Sequence, residues 1–438
     1  MRRSLNLPLM ICAFVWFARS GTAEDWPQWL GPRRDSVWRE TGIVDKFPAD
    51  GPTVVWRQPV GFGFAGPAVA NGRVFVTDYV TNETFTASSS IRNSLHGKER
   101  VLCLSARDGK LIWKYEYDRP YHIAFPYGPR VTPTVDGDRV YTLGAEGNLV
   151  CLKVADGSVV WSKDLPKEYE FETPIWGVAG HPLIEGDKII CVAGGAGSVA
   201  IALDKMTGKE RWRALTAPEP GYCPPTMIQA GGARQLLIWH SESLNSLDPV
   251  NGSLYWSVPI RAAYAMAIAT PRMDGPYLFV GAIINKSLLL KMDDQHPRAT
   301  PVWRGAKGRG IGPVFSTPFL EKGYMYGVDR KGELRCVKLA TGAIVWSSLK
   351  PTTQGDRPSE GTAFLVKQGD RFFLANDQGE LIIAKLSPRG YQELSRCKIL
   401  EPTTRMNNRF VVWSHPAFAE RSVFARNDKV LVRVSLAK

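Results

Sequence analysis

A glycine followed four residues later by a tryptophan recurs along this chain, and that recurrence most constrains what it can fold into. It appears in LSARDGKLIW (Leu104–Trp113), LKVADGSVVW (Leu152–Trp161), LDKMTGKERW (Leu203–Trp212), LDPVNGSLYW (Leu247–Trp256) and LATGAIVW (Leu339–Trp346). Asp-Gly, Thr-Gly and Asn-Gly supply the positive φ angles that tight hairpin turns need. Each copy therefore predicts a two-stranded hairpin with its tryptophan fixed on the second strand. With Trp303, where Ala299 replaces the turn glycine, successive tryptophans lie 43 to 51 residues apart. A period in the forties built of short strands suits a four-stranded propeller blade.

A second recurring pattern supplies the other two strands. A short apolar run, usually led by proline, is followed by a polar turn and another apolar run. TPTVDGDRVYTL (Thr132–Leu143), HPLIEGDKIICV (His181–Val192) and HPAFAERSVFA (His415–Ala425) are examples, and eight such hairpins can be counted. Eight first hairpins need eight second ones. The last fourth strand is missing, because the chain ends on KVLVRVSL, while GPTVVWRQPV (Gly51–Val60) carries Trp56 with no hairpin before it. The expected fold is all-β: an eight-bladed propeller of four-stranded antiparallel blades, its N-terminal strand completing the last blade. Such closure removes free sheet edges.

Arg2 and Arg3, the apolar run Leu5–Ala18 and the small residues Gly21-Thr22-Ala23 read as a secretory signal peptide cleaved after Ala23. The expected domains are thus a leader at 1–23, an N-terminal extension at 24–50 and the propeller at 51–438. Cys12 lacks the small residue that normally precedes a lipid-attachment cysteine, so no lipid anchor and no transmembrane span are expected. Loss of the leader's three basic residues takes the net charge from +13 to +10. An exported protein rarely meets nucleic acid, so this charge points to anionic envelope partners or a solvated basic surface. Cys103, Cys151 and Cys336 occupy one position of the repeat, on sheets too far apart to be bridged, and read as buried thiols.

The run Ala202-Leu203-Asp204-Lys205-Met206-Thr207-Gly208-Lys209-Glu210-Arg211-Trp212 resembles the repeat of pyrroloquinoline-quinone-type propellers. That family includes quinoprotein alcohol dehydrogenases and the non-enzymatic propeller of the outer-membrane β-barrel assembly machinery. The opening EDWPQWLGPRRDSVW is similar to exported propellers of planctomycete-type bacteria. The resemblance implies that the tryptophans pack between blades. It also implies one enzymatic alternative, a quinoprotein oxidising alcohols or sugars with pyrroloquinoline quinone and calcium.

The chain has no Cys-Cys dipeptide, no CxxCH segment and only scattered histidines, so no catalytic residue, metal ligand or cofactor is assigned. The segments that lead into the blades should emerge together around the mouth of the central channel. They offer Tyr127, Arg130, Trp176, Arg309, Arg405, Arg409 and Trp413 as a ligand or partner face, since aromatic and arginine side chains dominate binding hot spots. The competing expectation is that they plug the channel and pack loops. The expected function is an exported non-enzymatic scaffold that binds an envelope protein or an anionic ligand at the channel mouth.

Overall fold

The computed structural model describes residues 24–355 and 360–438, so the expected leader lies outside the described residues. Eight four-stranded antiparallel sheets form the ring. Blade 1 comprises Ala68–Ala70, Arg73–Val80, Lys98–Ser105 and Leu111–Asp118, and blades 2 to 7 repeat this order from axis to rim, starting at Thr134, Leu183, Thr226, Arg272, Phe319 and Ala363. Blade 8 takes three strands from the C-terminal end, and its rim strand is Val54–Pro59, paired antiparallel with Val430–Ser435. The first strand therefore closes the ring as expected. No helix among the described residues is long and apolar enough to cross a membrane.

The repeat signature can be explained atom by atom. In blade 3 the Asp204 carboxylate accepts bonds from the Met206 and Thr207 amides and the Thr207 hydroxyl, while the Gly208 amide donates to the Asp204 carbonyl. The turn is thus wound around one aspartate, as Asx turns are. Gly208 has φ +70°, and a Cβ there would lie 2.8 Å from the ring of Trp161 in the preceding blade. The glycine is needed twice, for its backbone angle and for the neighbouring indole beneath it. Trp113 beneath Gly157 and Trp212 beneath Gly252 repeat this seat.

Each of these indoles also donates to a carbonyl of the next blade: Trp56 to Ala106, Trp113 to Val154, Trp161 to Lys205, Trp212 to Pro249, Trp303 to Leu339 and Trp346 to Ser387. The implied inter-blade role holds. Trp256 departs from it, donating to Gln235 of its own blade, because the corresponding turn of blade 5 has no glycine to receive the ring. Opposite Trp113, Trp161 and Trp346 on the third strand stand Cys103, Cys151 and Cys336, which are free, buried thiols.

Leu394 replaces the tryptophan in blade 7 for a topological reason. The third and fourth strands of blade 8 come from distant parts of the chain, so no turn joins them and no indole seat exists there. The extension fills the gap instead. The Val44 amide bonds the Leu436 carbonyl, the Phe47 amide bonds the Ser395 hydroxyl, and Ile43 and Phe47 share a buried cluster with Leu394.

The rest of the extension crosses the axis. Trp26 pairs with Val69 of blade 1, and the Val135 amide of blade 2 donates to the Pro27 carbonyl. Arg34 donates to the Pro182 carbonyl leading into blade 3, Arg272 of blade 5 donates to the Arg34 carbonyl, and Val37 bridges Lys367 of blade 7. A segment bonded to the innermost strands on opposite sides of a ring must pass through its centre. Residues 26–37 therefore plug the channel.

Candidate functional site: an aromatic cup above the plug

On the face carrying the blade-to-blade connections, the channel opens into a cavity of about 440 Å³. All eight connections contribute a wall residue, from Phe64 before blade 1 to Trp413 before blade 8. The floor is Trp29 of the plug, its indole N–H bonded to Thr270 Oγ1 at 3.2 Å. Its ring lies 3.9 Å, centre to centre, from both His181 and His415. Each histidine directly precedes the proline of a first strand, in blades 3 and 8. Burial holds both imidazoles well below their usual pKa, and the charge of Arg34 presses His181 further down, so both are neutral at pH 7.

The walls carry aromatic groups on opposite sides. Trp413 packs 4.4 Å from Phe315, and across the channel Trp176 lies 5.9 Å from Tyr222. Trp176 is fixed by its indole N–H, which donates to the Ser89 carbonyl. Ser89 belongs to the long excursion between the second and third strands of blade 1. That segment folds back on the mouth: Asn93–Leu95 pairs with Tyr121–Ile123, and Arg92 donates to the His122 and Thr173 carbonyls.

Of the seven candidates, Arg130, Trp176 and Trp413 line the cavity. Arg130 gives all three guanidinium nitrogens to main-chain carbonyls, those of Trp176, Gly128, Ala124 and Phe125, and stacks over Phe64 at 5.3 Å. Desolvation lowers its pKa from the usual arginine value. Its chemistry here is that of a clamp on three connecting loops. Tyr127 sits behind the wall, packed against Phe62 and Phe64, with its hydroxyl directed at the Arg405 carbonyl. Arg405 is exposed on the short hairpin Thr404–Met406 and Arg409–Val411. Arg409 pairs with the fully buried carboxylate of Asp377 at 2.9 Å.

Arg309 is not brought to the mouth. It stacks on Trp303 at 5.4 Å and donates to the Thr341 carbonyl, between the outer parts of blades 5 and 6. The connection starts at the rim of one blade and ends at the axis, so its first residues stay outside. Arg357, a further arginine in the sequence between blades 6 and 7, lies outside the described residues.

Sequence reasoning missed Trp29, His181, Tyr222 and His415. The histidines carried a signal, since only two of the eight first-strand motifs begin with His-Pro. Trp29 carried none, because its place is set by contacts with blades far along the chain.

A calcium-held quinone, the group of the enzymatic alternative, would need an oxygen-rich cation site in this cavity. Among the described residues no three His, Cys, Asp or Glu side chains come together as a cation site. Glu360, an acidic residue of the lining, is already paired with Arg330 at 2.9 Å. This donor set does not fit hard-cation coordination, which needs several oxygen ligands.

A closed ring of eight four-stranded blades with inter-blade indoles and a blind cup at one mouth defines the quinoprotein-type class of propellers. The family described as outer membrane protein assembly factor BamB matches residues 40–131 and 97–348, and the chain belongs to it. A sequence search finds no match among curated proteins. Among solved structures, BamB from Moraxella catarrhalis is 16% identical with a TM-score of 0.56, covering 87% of this chain and 97% of its own. Quinohemoprotein alcohol dehydrogenase from Comamonas testosteroni is 13% identical with a TM-score of 0.60, covering 94% and 81% respectively. At these identities the likeness is one of fold.

Proposed function

We propose that this protein is an exported, non-enzymatic scaffold that receives a partner protein on the mouth face of its propeller. One observation carries the reading. Ile91, Tyr264, Ile284 and Phe410 stand 54%, 70%, 47% and 55% exposed, all on connections of that face. Tyr264 and Ile284 are moreover held at φ 55° and 57°, a region costly for bulky and β-branched side chains. Apolar groups kept exposed on strained loops around one opening suit a docking rim.

The placement of the charges favours protein over a small anion, because Arg130, Arg330 and Arg409 are committed to internal partners. The leader-like segment at 1–23 supports export, and a family described by outer-membrane assembly supports a place in the envelope. The scaffold acts without a bound cofactor, in keeping with the donor set of the cup.

Retention from an envelope extract should be compared between the wild type and Tyr264→Asp/Phe410→Asp. The same band should be lost with the double variant, and its persistence would refute the rim as the docking face. Incubation with pyrroloquinoline quinone and calcium should leave the absorption spectrum unchanged, and alcohol-dependent dye reduction would overturn the non-enzymatic reading. Export predicts Glu24 as the first residue of the mature protein.

A further inference from the structure

The positive charge of the chain is gathered on one side. Residues 261–350, from the connection into blade 5 to the end of blade 6, hold fourteen Lys or Arg against six Asp or Glu, a net +8. The rest of the chain from Glu24 carries only +2. A field this lopsided draws partners of opposite sign to one sector of the ring.

Part of this excess forms one edge. The run Arg304-Gly305-Ala306-Lys307-Gly308-Arg309-Gly310 leaves the rim strand of blade 5, and Lys286 begins the strand paired with it. The loop is pinned at three points. The Gly305 amide donates to the Ser287 carbonyl, the Arg309 amide closes a turn onto Ala306, and the Gly310 amide donates to Gly342 of blade 6. Lys286, Arg304, Lys307 and Arg309 are all exposed, and among the described residues none of them meets a carboxylate. The acids of the adjoining loops are taken, Glu242 by Arg261 and both Asp329 and Glu333 by Arg335. Rim-strand cations of other blades are paired: Lys114 with Glu116, Arg211 with Asp204 and Arg396 with Glu393.

The four charges form a line and not a cage. Arg304 reaches back to the Pro259 carbonyl at the end of blade 4, whereas Arg309 reaches forward to the Thr341 carbonyl of blade 6. A single small anion needs its cations to converge, while an extended chain of carboxylates matches a row. Apolar groups stand beside that row: Ile284 lies two residues before Lys286, and Tyr264 lies five after Pro259, both exposed and fixed at positive φ. We propose that this edge receives an acidic segment of the partner protein, its carboxylates along Lys286, Arg304, Lys307 and Arg309 and an apolar side chain against Ile284 and Tyr264. The inference rests on the docking reading and adds to it the chemistry of the partner. Single exposed ion pairs contribute little, but several on a pinned loop act together at a low ordering cost.

The test is fluorescence anisotropy on the full chain from Glu24 with a labelled peptide of repeated Glu-Gly-Asp-Gly, and with repeated Gln-Gly-Asn-Gly as the neutral control. The acidic peptide alone should bind, and its affinity should fall as salt rises from about 20 to about 300 mM. Lys286→Glu/Lys307→Glu should weaken binding about tenfold or more. Lys153→Glu/Lys209→Glu, the same charge change at exposed turns of the opposite face, should weaken it less than about threefold. Both pairs change exposed side chains and should melt like the wild type. Equal weakening by the two pairs, no binding of the acidic peptide, or a preference for phosphatidylglycerol vesicles that Lys286→Glu/Lys307→Glu abolishes would overturn the proposal. The envelope band should also be retained less by Lys286→Glu/Lys307→Glu. Retention that survives this pair but is lost with Tyr264→Asp/Phe410→Asp would overturn the acidic segment and leave the docking rim standing. The opposite pattern would overturn the rim and keep the acidic segment.

Discussion

Gly157 shows how much one residue of the repeat carries. It sits at φ +74°, and an added Cβ would lie 2.6 Å from the indole of Trp113. Gly157→Ala should therefore cost about 2–4 kcal/mol, combining backbone strain with overpacking, read as a lowered urea midpoint. Gly186→Ala, with φ +59° and nothing within 4 Å, should cost only the backbone part. The glycine–tryptophan spacing was legible in the sequence because both partners recur, but the seat itself joins one blade's indole to the next blade's turn. At the same scale, His181 and His415 link stability to pH. Both are neutral when folded and regain the ordinary value of 6.5 on unfolding. Below that pH the unfolded chain binds protons the native state does not, so stability is lost on acidification. Each histidine should contribute up to about 1.4 kcal/mol per pH unit below its unfolded value. His181→Gln should reduce the slope of unfolding free energy against pH between 6.5 and 5, and an unchanged slope would refute the linkage.

The extension is the element that sequence reasoning undervalued. Residues 24–50 have no repeat pattern, yet they plug the channel, form the floor of the cup and replace the missing turn of blade 8. Glu40 anchors them. Its buried carboxylate accepts bonds from the Glu24 amide at 2.6 Å, the Trp38 indole at 3.0 Å and the Arg421 amide at 2.5 Å. Glu40→Ala leaves the buried Trp38 indole and two part-buried amides without an acceptor and should cost about 2–3 kcal/mol, with the loss visible as a lower melting temperature. The change should also release Trp38, which is fully buried against Phe373 and Phe418, giving a red-shifted tryptophan emission. The candidate face was read partly well for a related reason. Arg130, Trp176 and Trp413 fall near the axial ends of their connections and reach the cavity, whereas Arg309 falls near the rim end and does not.

For the whole molecule, closure is the controlling feature. The Val54–Pro59 strand meets Val430–Ser435 across almost the full length of the chain, and Trp56 of the same strand donates to Ala106 in blade 1. Ending the chain before Val430 would leave blade 8 with an unpaired rim strand and the ring with two open edges. Such a truncation should lose the single cooperative unfolding transition and aggregate, seen as a broad calorimetric endotherm with turbidity. A truncated chain that still unfolds sharply would show that the blades do not depend on closure.

The sequence by itself determined the number of blades, the hairpin turns, the inter-blade tryptophans and the joining of the two ends. These follow from short-range pattern repeated often enough to be counted. Only the tertiary structure decided that the channel is blocked, that Trp29 stands between two neutral histidines, and that the wall arginines are spent on loop carbonyls. Those facts depend on where eight unlike connections and one unrepeated segment meet at the axis, and contacts between residues hundreds of positions apart leave no local period to read.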